Sequence, residues 1–259
     1  MARLDDGMNA WLERLVALES EVEYKTPPRR GEGEFCFQAG SLPVLISAPH
    51  GAAHTRHGRL KEEDDFTAGL ARLCGELSGA HVLYAWRKSA TDPNYYPDVP
   101  YKQALAQIVR RYDIRFVMDL HGCAAYRDFG IAVGTMQGQS LPCEYRRLIL
   151  NVLHRHGFRA AGGWLSRVDV DRTFTAGNGS RQETITRFVS QRLGVPAVQI
   201  ELNSYLRVVR RRPQASERDP FEGDEVMIER TINLLVGLVR VVARYAASDG
   251  LKRGNPTKL

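Results

Sequence analysis

The chain has 259 residues, of which 43% are hydrophobic and 25% are charged, and its formal net charge is +6. This composition is ordinary for a folded soluble protein, and no apolar run approaches the eighteen or so residues of a membrane span. Because no linker, repeat or low-complexity tract divides the chain, we expect one α/β domain over residues 1–259.

The excess positive charge is concentrated in YLRVVRRRP (205–213) and in the C-terminal tail. These runs are short and lack interleaved aromatic residues, so nucleic-acid binding is not expected, and arginines that hold an anionic small molecule are favoured instead. The N-terminal segment lacks the basic start and the apolar stretch of a signal peptide, which predicts a cytoplasmic protein. Scattered cysteines without a CxxC pair predict reduced thiols: Cys36, Cys74, Cys123 and Cys143.

Hydrophobic periodicity predicts helices and strands that alternate along the chain. The first half gives a helix at 8–22, the strands FCFQAG and PVLISAP as a hairpin around Ser41, a helix near 63–78, the strand HVLYAW, a helix around 101–112 and the strand IRFVMDL. The second half gives the strand FGIAVGTM, a helix in PCEYRRLILNVLHRHG, a short strand near 164–169, a helix at 182–192, the strand PAVQIEL and a closing helix at 223–246.

This alternation predicts a three-layer α/β fold, with a mainly parallel or mixed sheet and helices on both faces. In such sheets, ligands bind outside the carboxyl ends of the strands. His50, His121 and Glu201 fall at or near such ends. A glycine follows each histidine, in SAPHG and DLHG, and allows a sharp turn or a close backbone approach.

The two histidines could belong to a hydrolytic zinc site, which needs three protein ligands and an open position for water. The third ligand would come from the acidic cluster Glu62 to Asp65. Such a metal activates water and polarises a carbonyl group, and a nearby carboxylate must move the proton. Glu201 is the candidate for that role, because a charge that closes a buried strand is otherwise costly.

Each of these residues also has an ordinary structural interpretation. A histidine at a strand end is often only hydrogen-bonded, and carboxylates in a first helical turn stabilise the helix dipole. Asp119 shares the strand face of His121, so it either orients that histidine or pairs elsewhere. His54 and His57 lie in a polar loop, where we expect solvent exposure, although His54 could substitute as a ligand.

Four motifs together resemble the N-formylglutamate amidohydrolase family: SAPHG, the acidic run leading into FTAGLA, DLHG and AVQIELN. The resemblance covers about residues 40–210 and leaves the terminal helices as additions. It implies a hydrolase-like fold related to the zinc carboxypeptidases, with one zinc ion (or another divalent metal) bound by His50, Asp64 and His121. Glu63 is the alternative acidic ligand, and Glu201 corresponds to the family's general base.

The substrate-binding part departs from that family. Where formylglutamate-specific members continue with a stretch of the LYMDE kind, this chain reads NSYLRVVRRRP, and TAGNGSRQETITRF only loosely resembles the family's glycine-rich loop. Arginine suits both a substrate carboxylate and an oxyanion, because its planar fork pairs bidentately. The predicted substrate-binding residues are Arg87, Arg181, Asn203, Tyr205 and Arg207.

Together these features predict a zinc-dependent amidohydrolase that acts on a small anionic N-acyl amino acid or a short peptide. A carboxypeptidase-like or γ-glutamyl peptidase activity at the same site is the alternative among enzymes. A non-catalytic module that binds an anion is the alternative from another class. The sequence has no G-x-S-x-G motif, so a serine hydrolase is not favoured.

Overall fold

The computed structural model describes residues 5–177, 179 and 181–253. The strands are β1 (Phe35–Gln38), β2 (Val44–Ala48), β3 (His54–Arg56), β4 (Arg59–Lys61), β5 (His81–Ala85), β6 (Phe116–Cys123), β7 (Ile131–Gly134), β8 (Val168–Val170) and β9 (Ala197–Asn203). The helices are α1 (Asp5–Ser20), α2 (Thr67–Ser78), α3 (Pro100–Arg111), α4 (Cys143–Arg155), α5 (Ile185–Arg187), which continues as a π-helical turn (Phe188–Arg192), and α6 (Glu225–Arg253). None of the helices in these described ranges is long and apolar enough to cross a membrane.

The main sheet has seven strands in the order β1-β5-β2-β6-β9-β7-β8. Strands β5, β2, β6 and β9 are parallel, whereas β1 and β7 run antiparallel to their neighbours β5 and β9. Strands β3 and β4 form a separate hairpin. This mixed sheet confirms the predicted α/β class.

Helices cover both faces of the sheet. Neighbouring residues of a strand point to opposite faces, so the contacts of two such residues show which helices lie on each side. Ile46 belongs to an apolar cluster with α1, α2, α4 and α6, whereas its neighbour Leu45 packs in a second cluster with α3 and α5. The inner strands β5, β2, β6, β9 and β7 are buried on both sides, as near-continuous apolar runs predict. The predicted three-layer arrangement is therefore confirmed.

The predicted hairpin between the first two strands is wrong. Strand β1 pairs with β5, and β5 separates it from β2. The connection crosses the turn after α2, where Ser41 and Leu42 donate backbone hydrogen bonds to the Gly79 carbonyl oxygen. Gly40 lies so close to this turn that a Cβ would be 2.3 Å from the same oxygen. Long-range contact with β5 therefore overrides the local tendency to form a hairpin.

The chain reverses its winding direction at β2. From β2 it passes through α2 to β5, and from β5 it returns through α3, on the other face, to β6 on the far side of β2. Such a reversal opens a crevice at the carboxyl ends of the two central strands. Residues that follow β2 and end β6 therefore meet at this switch point.

Candidate metal centre

Three side chains converge at the switch point. One carboxylate oxygen, Oδ2 of Asp64, lies 3.5 Å from Nδ1 of His50 and 3.2 Å from Nδ1 of His121. The three ligand atoms all lie within 4.8 Å of one another. Two imidazole nitrogens and a carboxylate oxygen are a donor set that zinc binds at ~2.0–2.1 Å, which spaces tetrahedral neighbours roughly 3.3 Å apart. The donor types and the two short distances therefore fit a divalent metal.

The glycines after the two histidines permit close packing around the centre. A Cβ at Gly51 would lie 2.5 Å from the carbonyl oxygen of Ala85 and 2.6 Å from Cβ of Ala68. A Cβ at Gly122 would lie 2.4 Å from Nε of Arg207. Any larger residue would push the chain away from these neighbours, and the adjacent histidine with it.

Asp64 is the acid of its cluster that lies beside the two histidines. Its backbone N–H donates to the carbonyl oxygen of His50 over 2.8 Å. The carboxylate of Glu63 instead accepts hydrogen bonds from Ser216, and that of Asp65 accepts one from Arg207. The side chain of Glu62 is exposed.

A second carboxylate lies beside the Nε2 atom of each imidazole. Nε2 of His50 lies 3.0 Å from Oδ1 of Asp92, and Nε2 of His121 lies 3.2 Å from Oδ1 of Asp119. The latter contact is an ion-pair contact, since neither atom has a hydrogen-bond partner among the described residues. Outer carboxylates of this kind fix the ring orientation, so that each Nδ1 faces Asp64.

Asp92 also holds two other side chains of the β3–β4 hairpin. Nε2 of His54 lies 3.3 Å from Oδ2 of Asp92, and the Arg56 guanidinium binds the same oxygen at 2.6 Å. His50, His54 and Asp92 therefore form a second cluster of metal-ligand type. We interpret it as a positioning network, because Arg56 already neutralises the carboxylate that a cation would need.

The expected solvent exposure of His54 is wrong. Its side chain is 3% exposed and stacks on His50 with ring centroids 4.0 Å apart. Asp92 stabilises the buried imidazole and lies in a proline- and tyrosine-rich loop far along the sequence. Only the fold brings the two together.

Electrostatics in the centre favour charge separation. Burial opposes ionisation of Asp64, but its contacts with His121 and His50 outweigh this and hold its pKa well below the usual range. Burial likewise favours neutral His50, yet Asp92 and Asp64 raise its pKa to about 9. Burial also favours neutral His121, but Asp119 and Asp64 outweigh it and raise the pKa of His121 well above its usual value. The carboxylates around the two imidazoles thus favour positive charge at this point.

Glu201 lies directly beside His121 in the neighbouring strand, since the two residues are register partners of β9 and β6. Its side chain is buried, and Oε1 accepts a 2.8 Å hydrogen bond from Nε2 of Gln199. Burial raises the pKa of Glu201 to about 7. A carboxylate that titrates near neutral pH suits general acid–base work.

The predicted substrate-binding residues that end strands have other partners. The Arg207 guanidinium donates to Asp65 and to the carbonyl oxygens of Leu202 and Cys123. Arg87 forms ion pairs with Glu23 and Glu32 and stacks on Trp86. The Asn203 amide donates to backbone oxygens in the 125–129 loop and accepts from the N–H of Tyr205. These contacts bind chain segments to one another.

The remaining two predicted residues are Tyr205 and Arg181. Tyr205 is half-buried and packs between Trp164 and Phe221. Arg181 is exposed, next to a position that lies outside the described residues. Their substrate contacts stay predictions.

Arg127 is a cation near Cys123 that sequence reasoning missed. Its guanidinium lies 5.2 Å from the ring centroids of both Tyr126 and Phe174. No described carboxylate pairs with it, and its Nε atom is buried without a hydrogen-bond partner. Phe174 packs against Cys123 and Ala132, and Ala132 is the register partner of Glu201. Phe174 therefore packs on the sheet face that carries His121 and Glu201, and Arg127 lies over Phe174.

The Cys123 thiol next to this cation is not an activated nucleophile. Burial and Glu201 raise its pKa to about 12, although the positive charges of Arg207 and Arg127 oppose the rise. A thiol that stays protonated at neutral pH is a poor nucleophile. Asp64, Glu201 and the two histidines therefore remain the candidate reactive groups of this crevice.

The architecture is a three-layer α/β arrangement with its crevice at the switch point. No protein-family model matches the sequence, and no curated protein matches it either. The similarity to known proteins therefore comes from comparison of the structures.

Among solved structures, the chain is similar to N-formylglutamate amidohydrolase from Ralstonia eutropha, with a TM-score of 0.56 at 14% identity over 84% of this chain and 100% of the other. A metallo-carboxypeptidase from Pseudomonas aeruginosa matches at 0.49 and 15%, over 91% of this chain and 67% of the other. Succinylglutamate desuccinylase from Chromobacterium violaceum matches at 0.43 and 14%, over 89% and 76%. The likeness to the amidohydrolase confirms the fold that the four motifs imply.

Proposed function

We propose that this protein is a metal-dependent hydrolase that cleaves an amide bond, with His50, Asp64 and His121 as the metal ligands. The observation that carries this proposal is the convergence of their three ligand atoms within 4.8 Å. A fold shared with a solved amidohydrolase structure supports it. Zinc is the metal we expect, because two imidazoles and one carboxylate are a common catalytic zinc set.

When bound, the zinc ion would supply Lewis acidity and would lower the pKa of a water molecule at this point. Glu201 is the group that we assign to accept the proton of that water. Its Oε1 atom is held by Gln199, so Oε2 is the oxygen assigned to proton transfer. The protonated Glu201 then returns the proton to the leaving nitrogen, as general acid–base catalysis requires.

The substrate class that we propose is a small anionic N-acyl amino acid or short peptide, and the unpaired guanidinium of Arg127 supports it. A planar guanidinium pairs bidentately with a carboxylate, and flanking aromatic rings hold it in place. A cavity of about 160 Å³ beside Asp64 is bordered by Glu62, Glu63 and Glu217, and the Arg207 that also lines it is already paired with Asp65, which disfavours a substrate carboxylate there. The substrate anion is therefore assigned to the Arg127 side.

Metal analysis of the protein purified without chelator tests the metal site. We expect about one equivalent of zinc and its loss in His121→Ala, because a site with two remaining ligands binds zinc weakly. His154→Ala, which removes an exposed histidine of α4, is the matched control and should keep the metal. Equal, negligible metal in all three proteins would refute the proposal.

Substrate profiling tests the reaction. N-acyl glutamates should be hydrolysed faster than the corresponding diamides, and the preference should shrink in Arg127→Met. A protein that binds N-acyl glutamate without turnover, metal present, would be a binding module instead.

A further inference from the structure

We infer that Glu19, at the end of α1, is a positioning residue for the metal ligand Asp64. The inference rests on the proposed function, because Asp64 must be a ligand for its position to matter. Helix α1 lies outside the part of the chain that resembles a known family. It nevertheless reaches the loop that presents the acidic ligand.

The Glu19 carboxylate is fully buried and receives three hydrogen bonds. Its Oε1 accepts from the backbone N–H of Phe66 over 2.8 Å and from the Tyr24 hydroxyl over 2.5 Å. Its Oε2 accepts from the backbone N–H of Gly69 over 2.7 Å. Two of these donors belong to the first turn of α2 and the residue before it.

Helix α2 needs this outside acceptor because its own sequence supplies no cap. The N-cap position is Phe66, whose side chain cannot accept a hydrogen bond and whose backbone has the left-handed φ of 65°. The first N–H groups of any helix lack intrahelical acceptors, and a carboxylate there also interacts favourably with the helix dipole. Glu19 replaces the missing cap from another helix.

This cap fixes the segment that carries Asp64. On one side, the N–H of Asp64 donates to the carbonyl oxygen of His50. On the other side, the carbonyl oxygen of Asp64 accepts from the N–H and hydroxyl of Thr67, and Phe66 between them is held by Glu19. Loss of the Glu19 carboxylate would release Phe66 from its strained conformation. The Asp64 carboxylate would then no longer be held opposite the two histidines.

Two variants disturb this cap in different ways. Glu19→Gln replaces one acceptor oxygen by an NH2 group, which cannot accept a hydrogen bond from the backbone N–H of Phe66 or Gly69. Gly69→Ala keeps Glu19 but adds a Cβ that would lie 2.7 Å from its Oε2 and 3.0 Å from its backbone nitrogen, so the carboxylate must shift. Alanine also favours the helix over glycine, so a weaker metal site in Gly69→Ala cannot come from lower helix propensity.

The matched control is Glu76→Gln at the other end of α2. Glu76 forms an exposed pair with Arg14, so this change removes a contact between the same two helices far from the cap. An exposed pair of this kind contributes little to stability. The control therefore separates general loosening of α1 from loss of the cap.

The experiment measures the zinc dissociation constant by chelator competition and the visible spectrum of the Co²⁺-substituted protein. We expect zinc affinity to fall about tenfold in Glu19→Gln and in Gly69→Ala, the low end of the effect of outer partners on metal sites, with an altered Co²⁺ spectrum. Glu76→Gln should match the unchanged protein. If Glu19→Gln does not fold, Gly69→Ala decides.

Unchanged zinc affinity and an unchanged Co²⁺ spectrum in Gly69→Ala, while the parent binds one zinc, would overturn the role of Glu19 alone. If the parent binds no zinc or cobalt, the proposed function itself fails, and this inference with it. Equal weakening in Glu76→Gln would also overturn it, because the effect would then belong to helix packing.

Discussion

Replacing Glu201 by glutamine removes the proposed base and little else. Glutamine has the same shape, and its amide oxygen can still accept the hydrogen bond from Gln199. Because burial disfavours the ionised form of Glu201, the neutral side chain should fold at least as stably at pH 8. The metal ligands are untouched, so zinc content should stay the same.

Loss of a general base costs about 10²–10⁴ in rate, which corresponds to ~2.7–5.5 kcal/mol in the activation free energy. We expect kcat of Glu201→Gln on an N-acyl glutamate to fall within that range. The parent should also lose activity as the pH falls through the pKa of Glu201, because the protonated carboxyl group cannot accept a proton. The variant should lack this acidic limb.

The assay is steady-state kinetics from pH 5 to 9 with zinc content measured on the same samples. A zinc-loaded Glu201→Gln protein with kcat within threefold of the parent would refute the assignment of the base. A variant that loses both zinc and activity would instead show that Glu201 holds the metal site together.

Three further predictions concern the surroundings of the site. Asp92→Asn should weaken zinc binding by about 10–100-fold in chelator competition, because His50 loses the carboxylate behind its ring; an unchanged affinity would contradict the positioning network. Gly122→Ala should lower the free energy of unfolding by about 1–3 kcal/mol in urea, since its Cβ would meet the Arg207 guanidinium. Burial raises the pKa of Glu19 to about 7 in the folded protein, from 4.5. The folded protein thus binds the Glu19 proton more tightly than the unfolded chain does, and the stability gained from this is complete below pH 4.5 and lost as the pH rises through 7. Relative to Glu19→Gln, the metal-free parent should lose ~3 kcal/mol of unfolding free energy over that interval, and parallel profiles would contradict this.

The parts of the site that obey a local rule could be predicted from the sequence. A buried apolar run that ends in His-Gly marks a strand end, and parallel strands bring their carboxyl ends to one edge. His50, His121 and Glu201 follow this rule, and the structure brings them to one crevice. The α/β class follows from the same alternation of strands and helices.

The side chains that hold the site in place follow no such rule. Asp92 sits in an irregular loop, and its partner His54 gives no local sign of burial. Glu19 would pass for a surface residue of an amphipathic helix, because the donors it meets lie far along the chain. Arg127 has no distinguishing sequence signal, and its place over Phe174, with a buried Nε that lacks a partner among the described residues, becomes visible only once the chain is folded.

The hydrogen bonds of Arg207 restrict how the segments around the site can move. Its guanidinium joins the loop that carries Asp65, the end of β6 and the end of β9, which are the segments next to Asp64, His121 and Glu201. Because Arg207 ties these three segments together, we expect them to move little relative to one another when a substrate enters. The floor of the crevice is preorganised, so its geometry should be the same before and after a substrate arrives.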